Sequence, residues 1–184
     1  MGYAILTLLI FFLAISPTRS NINFIHKSCK TTLYPVLCNL HLSRFSTRVG
    51  TSPRLLAQTA MAAALSASRK TSTKLITYSK THKLTKRETS AMNDCIEEIS
   101  DSGYEIHKSM VEMTKVHIGS GFAFDMNSIE TWVSAALTDD DTCTDGFSGQ
   151  YMNGEVKTMV RKEVLKIAHL ASIALTFVNN FANG

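Results

Sequence analysis

Four kinds of residue in this chain could do chemistry: histidines, a run of aspartates, four cysteines and scattered serines. The histidines are His26, His41, His82, His107, His117 and His169. No two stand at i and i+4 and no H-E-x-x-H occurs, so no helix face offers a zinc-binding pair. Asp139, Asp140, Asp141 and Asp145 invite calcium. Counting Asp141 as the first position of an EF-hand loop, however, puts Cys143 at the third and Met152 at the twelfth, where oxygen ligands are required. Cys29, Cys38, Cys95 and Cys143 contain no C-x-x-C pair and have no histidine at ligand spacing, so zinc fails here too. There is no G-x-S-x-G elbow to raise a serine and no Walker loop to hold a phosphate. No metal, no cofactor and no catalysis are expected.

The cysteines then gain meaning from the start of the chain. Ala4 to Ile15 is an almost unbroken apolar run, followed by a small-residue exit at Thr18-Arg19-Ser20. Its length suits a signal-peptide core and falls short of the about 20 residues that span a bilayer. The reading is a leader over residues 1–20 and a secreted chain over 21–184, with no membrane contact once the leader is cut. An even number of cysteines in an exported chain implies two disulfides. Three connectivities exist, and spacing alone does not choose among them. Nineteen Lys and Arg against fifteen Asp and Glu give a net charge of +4. That is too mild to argue for nucleic acid, and no basic stripe is interleaved with aromatics.

The elements that carry these residues read as helices. Three prolines and few β-branched alternations argue against strands. Residues 21–50 hold Pro35 at a helix start and two short apolar segments, too little to bury a core alone. Ser52-Pro53 is an N-cap followed by a first-turn proline, opening a helix to about Tyr78 with a stripe of small residues. Thr85-x-x-Glu88 is a capping box. After it Met92, Ile99, Ile106 and Met113 recur every seven residues, with Ile96, Gly103 and Met110 as the expected companion row. Gly119-Ser120-Gly121 breaks the chain before a third helix starting near Asp125 or Ser128. That helix holds the stretch Thr131–Phe147, where Ile129, Trp132 or Val133, Ala136, Cys143 and Phe147 share a side. Thr138, Thr142 and Asp145 share another. A fourth helix follows Asn153-Gly154. Lys157, Arg161, Lys162 and Lys166 form its solvated side. The expected fold is all-α: an up-and-down antiparallel four-helix bundle over about 51–184, preceded by a helical hairpin over about 21–50.

Several stretches together resemble a known family. These are the leader, C-x8-C at Cys29 and Cys38, A-M-N-D-C-I-E-E at Ala91–Glu98, and W-V-S-A-A-L-T-D-D-D-T-C at Trp132–Cys143. The set is similar to that of plant invertase and pectin methylesterase inhibitors, and it spans the whole expected mature chain. The resemblance implies the pairing Cys29–Cys38 and Cys95–Cys143. It implies no activity of the chain's own. Instead it implies a secreted protein of the apoplast or cell wall that binds pectin methylesterase one to one and covers its substrate cleft. The stretch S-A-A-L-T-D-D-D-T-C is closer to that branch than to the acid-invertase branch, which is the alternative partner. A third reading is a structural or signalling wall protein without an enzyme target. By position relative to the cysteines, the implied contact residues are Glu97 and Asp101, Asp125, Thr142 and Asp145. Tyr104 stands where an acid can follow Asp101. The hairpin is a candidate for self-association.

Overall fold

A computed structural model describes residues 19–149, 152 and 154–184. The apolar stretch read as a leader core lies outside the described residues. The chain is helical from residue 19 to 29 (α1). Then come α2 (Pro35–Leu42), a 3-10 turn (Ser43–Phe45) and α3 (Ser46–Val49). Four long helices follow: α4 (Pro53–Thr81), α5 (Lys86–Lys115), α6 (Phe122–Asp145) and α7 (Glu155–Ala182). No strand occurs among the described residues.

The starts of α4 and α5 are written in the sequence. The Ser52 hydroxyl accepts from the Leu55 N–H, and Pro53 fills the first turn with a φ already suited to helix. Thr85 and Glu88 form the complete capping box, each side chain bonding the other's backbone N–H. Gly50 takes a positive φ of 58°, a region closed to most side chains, and turns the chain from α3 into α4.

In the bundle α4 packs on α5, α5 on α6, α6 on α7 and α7 back on α4, while the diagonals scarcely touch. This is the expected four-helix ring with short connections. Its core holds Met92, Ile99, Ile106 and Met113 of α5, Ile129, Val133 and Ala136 of α6, and a row of Val, Ile and Phe from α7. α7 is long and apolar enough to cross a membrane by composition. Its Val156, Val160, Val164, Ile167 and Val178 are buried in the bundle.

The second row of α5 differs from the expectation. Ile96 and Met110 are only half-buried, whereas Cys95, Ser102 and Ser109 are buried at intervals of seven. The reason is that α5 has two neighbours. Gly103 meets α4, where a Cβ would stand 2.8 Å from the Ser68 hydroxyl, and that hydroxyl donates to the Ile99 carbonyl at 2.9 Å. The small Cys–Ser–Ser row meets α6 and lets the two backbones approach. Arg54 at the start of α4 donates to the Met113 and Thr114 carbonyls at 2.6 and 3.1 Å. It thereby satisfies carbonyls that the end of α5 would otherwise leave open.

The bonded pairs are Cys29–Cys38 and Cys95–Cys143, with Cα atoms 5.6 and 4.2 Å apart. The first ties α1 to α2, so that Ile25, Cys29, Cys38, Leu42 and Val49 form the buried side of the hairpin. That hairpin lies against α4 and α7. Tyr34 stacks on His169 of α7 with ring centroids 3.8 Å apart. The second bond joins α5 to α6 across 48 residues. Closing a loop of this size stabilises by about 4 kcal/mol on the chain-entropy account. Replacing Cys95 and Cys143 together by serine should therefore lower the unfolding free energy by about 2–4 kcal/mol. The measurement is the urea midpoint under oxidising conditions, with Cys29–Cys38 intact. An unchanged midpoint would mean that packing alone fixes α5 against α6.

Candidate functional site: an acidic ridge on α5 and α6

The charged residues are sorted by element. All fifteen acidic residues lie on α5, α6 or α7, and thirteen of them on α5 and α6. Because α5 and α6 run antiparallel and are bonded at Cys95–Cys143, the exposed acids flanking that bond share one end of the pair.

Glu97 and Asp101 are both exposed, one turn apart on α5. Asp139 of α6 faces Glu98, Asp101 and Glu105 of α5. Thr142 and Asp145 are exposed on either side of Cys143, near the end of α6. The Thr142 hydroxyl donates to the Thr138 carbonyl at 2.8 Å, which leaves its oxygen able to accept from outside. The expected contact residues Glu97, Asp101, Thr142 and Asp145 thus gather at the disulfide end of the α5–α6 pair. Asp125 does not join them. It sits half-buried in the first turn of α6. From Thr142 that is about 25 Å along the axis, at 1.5 Å per residue.

Three further acids belong to this surface: Glu98, Glu105 and Asp139. Beside them lies an aromatic pair. Lys108 binds Glu105 at 2.9 Å. Its ammonium stands 5.4 Å from the ring centroid of Tyr104 and 4.5 Å from that of Trp132. Tyr104 is 63% exposed. The position where an acid was expected therefore offers an exposed ring held by a cation–π contact.

Asp140 departs most from the expectation. Left out of the apolar stripe expected for this helix, it is fully buried. The stripe Val133, Ala136, Asp140, Cys143, Phe147 has spacings of three and four, so Asp140 points inward with its apolar neighbours. Burial pushes its carboxyl up to about 8, opposed by the Ser102 hydroxyl and reinforced by Asp139 and Asp141. The Ser102 hydroxyl is the polar side chain beside this carboxyl, and neither Asp140 oxygen bonds any other group of the protein among the described residues. Asp139 is pushed up to about 6, by burial first and then by Glu98, Asp101 and Glu105. Nothing on the surface resembles a catalytic constellation. Among the described residues no three His, Cys, Asp or Glu side chains stand close enough to hold a metal ion.

The molecule at this point is a disulfide-tied helical bundle that presents a fixed acidic and aromatic surface. The sequence profile of the plant invertase/pectin methylesterase inhibitor family matches residues 23–177, and the chain belongs to that family. It is a family of enzyme inhibitors and not of enzymes. The chain is 40% identical to a 21 kDa protein of Daucus carota, over 95% of its own length and 91% of the relative's. It is also 40% identical to pectinesterase inhibitor 11 of Arabidopsis thaliana, over 92% of this chain and 85% of that one. Its fold is similar to the crystal structure of a mutant form of a pectin methylesterase inhibitor from Arabidopsis. The TM-score is 0.63 at 22% identity, covering 82% of this chain and 92% of that one.

The buried carboxyl has a measurable consequence. Its pKa is near 3.8 when unfolded and about 8 when folded. The folded state therefore holds this proton more tightly, and the associated stability is complete below about pH 4 and lost as pH rises to about 8. The loss should be on the order of a few kcal/mol. Asp140→Asn keeps the shape without the charge and should flatten the dependence. Urea unfolding at pH 5 and pH 8 measures it, and equal slopes for the two proteins would remove Asp140 as the cause.

Proposed function

We propose that this protein is a secreted inhibitor of pectin methylesterase, with residues 21–184 acting as one inhibitory unit after removal of a leader. It binds the enzyme one to one through the α5–α6 ridge and covers the substrate cleft, which keeps methyl-esterified pectin in the cell wall from being hydrolysed. The observation that carries this reading is the 40% identity to a pectinesterase inhibitor over 92% of the chain. The ridge supplies the physical means. A groove that binds a polymer is matched by a rigid rod, and two helices joined by a disulfide enter it with little loss of conformational freedom.

Glu97 and Asp101 serve as the acidic contacts at the ridge centre, with Thr142 and Asp145 beside them. Tyr104, stacked on Lys108, is the aromatic anchor, of the kind that often dominates binding energy at interfaces. Asp125, at the far end of α6, takes part only if the cleft is about 25 Å long. Charged contacts of this type set the approach rate and register more than the affinity.

Titration of purified pectin methylesterase with the protein, following ester hydrolysis, tests the function. Acid invertase and sucrose, assayed in parallel, test the alternative partner that the family name includes. Inhibition of neither enzyme would favour a wall protein without an enzyme target. Replacing Glu97 and Asp101 together by alanine should weaken esterase inhibition about tenfold or more, with circular dichroism unchanged. Tyr104→Ala should weaken it by a similar amount. Inhibition unchanged by either variant would move the contact away from α5.

A further inference from the structure

The flank opposite the ridge carries the reverse charge. Ten Lys and Arg residues lie between residues 19 and 81, and no Asp or Glu does. These residues form the hairpin and α4, which pack with α7 on the side away from α5 and α6. Here charges converge from separate elements. Arg44 of the 3-10 turn, Lys70 of α4 and Lys166 of α7 surround His41 of α2. All three cations are exposed. One turn further along α4, Lys74 pairs with Glu163 of α7, the nearest acid that the flank contains. Arg44, Lys70 and Lys166 make no ion pair among the described residues. Lys162, one turn before Lys166, extends the row along α7.

Like charges held together cost free energy unless an anion offsets them. Three exposed cations from three elements, around a half-buried imidazole, define an elongated positive strip. We infer that this strip, centred on Arg44, Lys70 and Lys166, is a docking surface for a linear polyuronate, the de-esterified form of pectin. A polymer with a carboxylate on each sugar matches a row of cations spaced along a rod. Nucleic acid fits less well, because the rings nearest these cations are already engaged: Phe45 lies under Arg44, Tyr34 stacks on His169, and both pack against the core.

The inference deepens the proposed function and rests on it for the choice of polymer, since ester hydrolysis of pectin leaves a carboxylate at each site. The inhibitor would be held where the enzyme has already acted, with its ridge turned outward. Tethering of this kind raises the local concentration without any new contact to the enzyme.

The test is retention of the protein on immobilised polygalacturonate, compared with fully methyl-esterified pectin and with phosphatidylserine vesicles, in the presence of a calcium chelator. Retention on polygalacturonate should be strong at low salt, should be lost by about 0.5 M NaCl, and should exceed retention on the other two. Arg44→Gln, Lys70→Gln and Lys166→Gln combined should weaken it about tenfold. Lys70→Gln with Lys166→Gln, leaving the hairpin untouched, gives a milder version should the triple variant fold poorly. Both variants should inhibit soluble pectin methylesterase as the parent does. Equal retention of parent and variants, equal retention on esterified pectin, or tighter binding to vesicles would overturn the inference. A protein that inhibits no esterase but is retained through these cations would sink the inhibitor reading and leave the polymer contact standing.

Discussion

The register between α5 and α6 is the constraint on which the surface depends. The Cys95–Cys143 bond and the small row Cys95, Ser102, Ser109 bring the two helices together at one axial setting. A slide of one turn, about 5.4 Å, would carry Asp139 past Asp101 and Glu98 and break the continuity of the ridge. It would also expose the Asp140 carboxyl or press it on an apolar residue. Packing, cross-link and surface charge thus agree on a single arrangement, and consistency of this kind marks a sequence that specifies one structure.

Much of the fold was readable because helices announce themselves locally. Ser52-Pro53 and the Thr85–Glu88 box start their helices where their chemistry demands. The heptads of Met and Ile lie in the core where the period puts them. The harder features depend on which neighbour a face meets. The Ser102 and Ser109 row is polar in composition and buried in fact, because close approach of α6 favours small side chains over apolar ones. Asp140 was hidden by its neighbours: three aspartates in a row look like a surface, although one of three consecutive helical positions must point inward when the flanking stripe is apolar. Arg54 reaches carbonyls some sixty residues away, a contact that no local pattern encodes.

The proposed contact residues share a place only in part. Counting from the cysteines placed Glu97, Asp101, Thr142 and Asp145 on one end of one pair of helices, because the disulfide fixes those counts in space. Asp125 stands apart, separated from the rest by its distance from Cys143 along α6. The count also passed over Glu98 and Glu105, which lie on the turns beside the chosen acids and face α6. Tyr104 gained significance only when Lys108 and Trp132 were seen around it.

The sorting of charge between the two flanks gives the molecule a strong electric axis at right angles to its length. A net charge of +4 conceals this axis. Within a Debye length of a partner, about 8 Å at physiological salt, the field acts on the rod as a torque as well as a pull. Encounters are then biased in orientation before surfaces touch, so that a basic partner meets α5 and α6 and an acidic one meets the hairpin side.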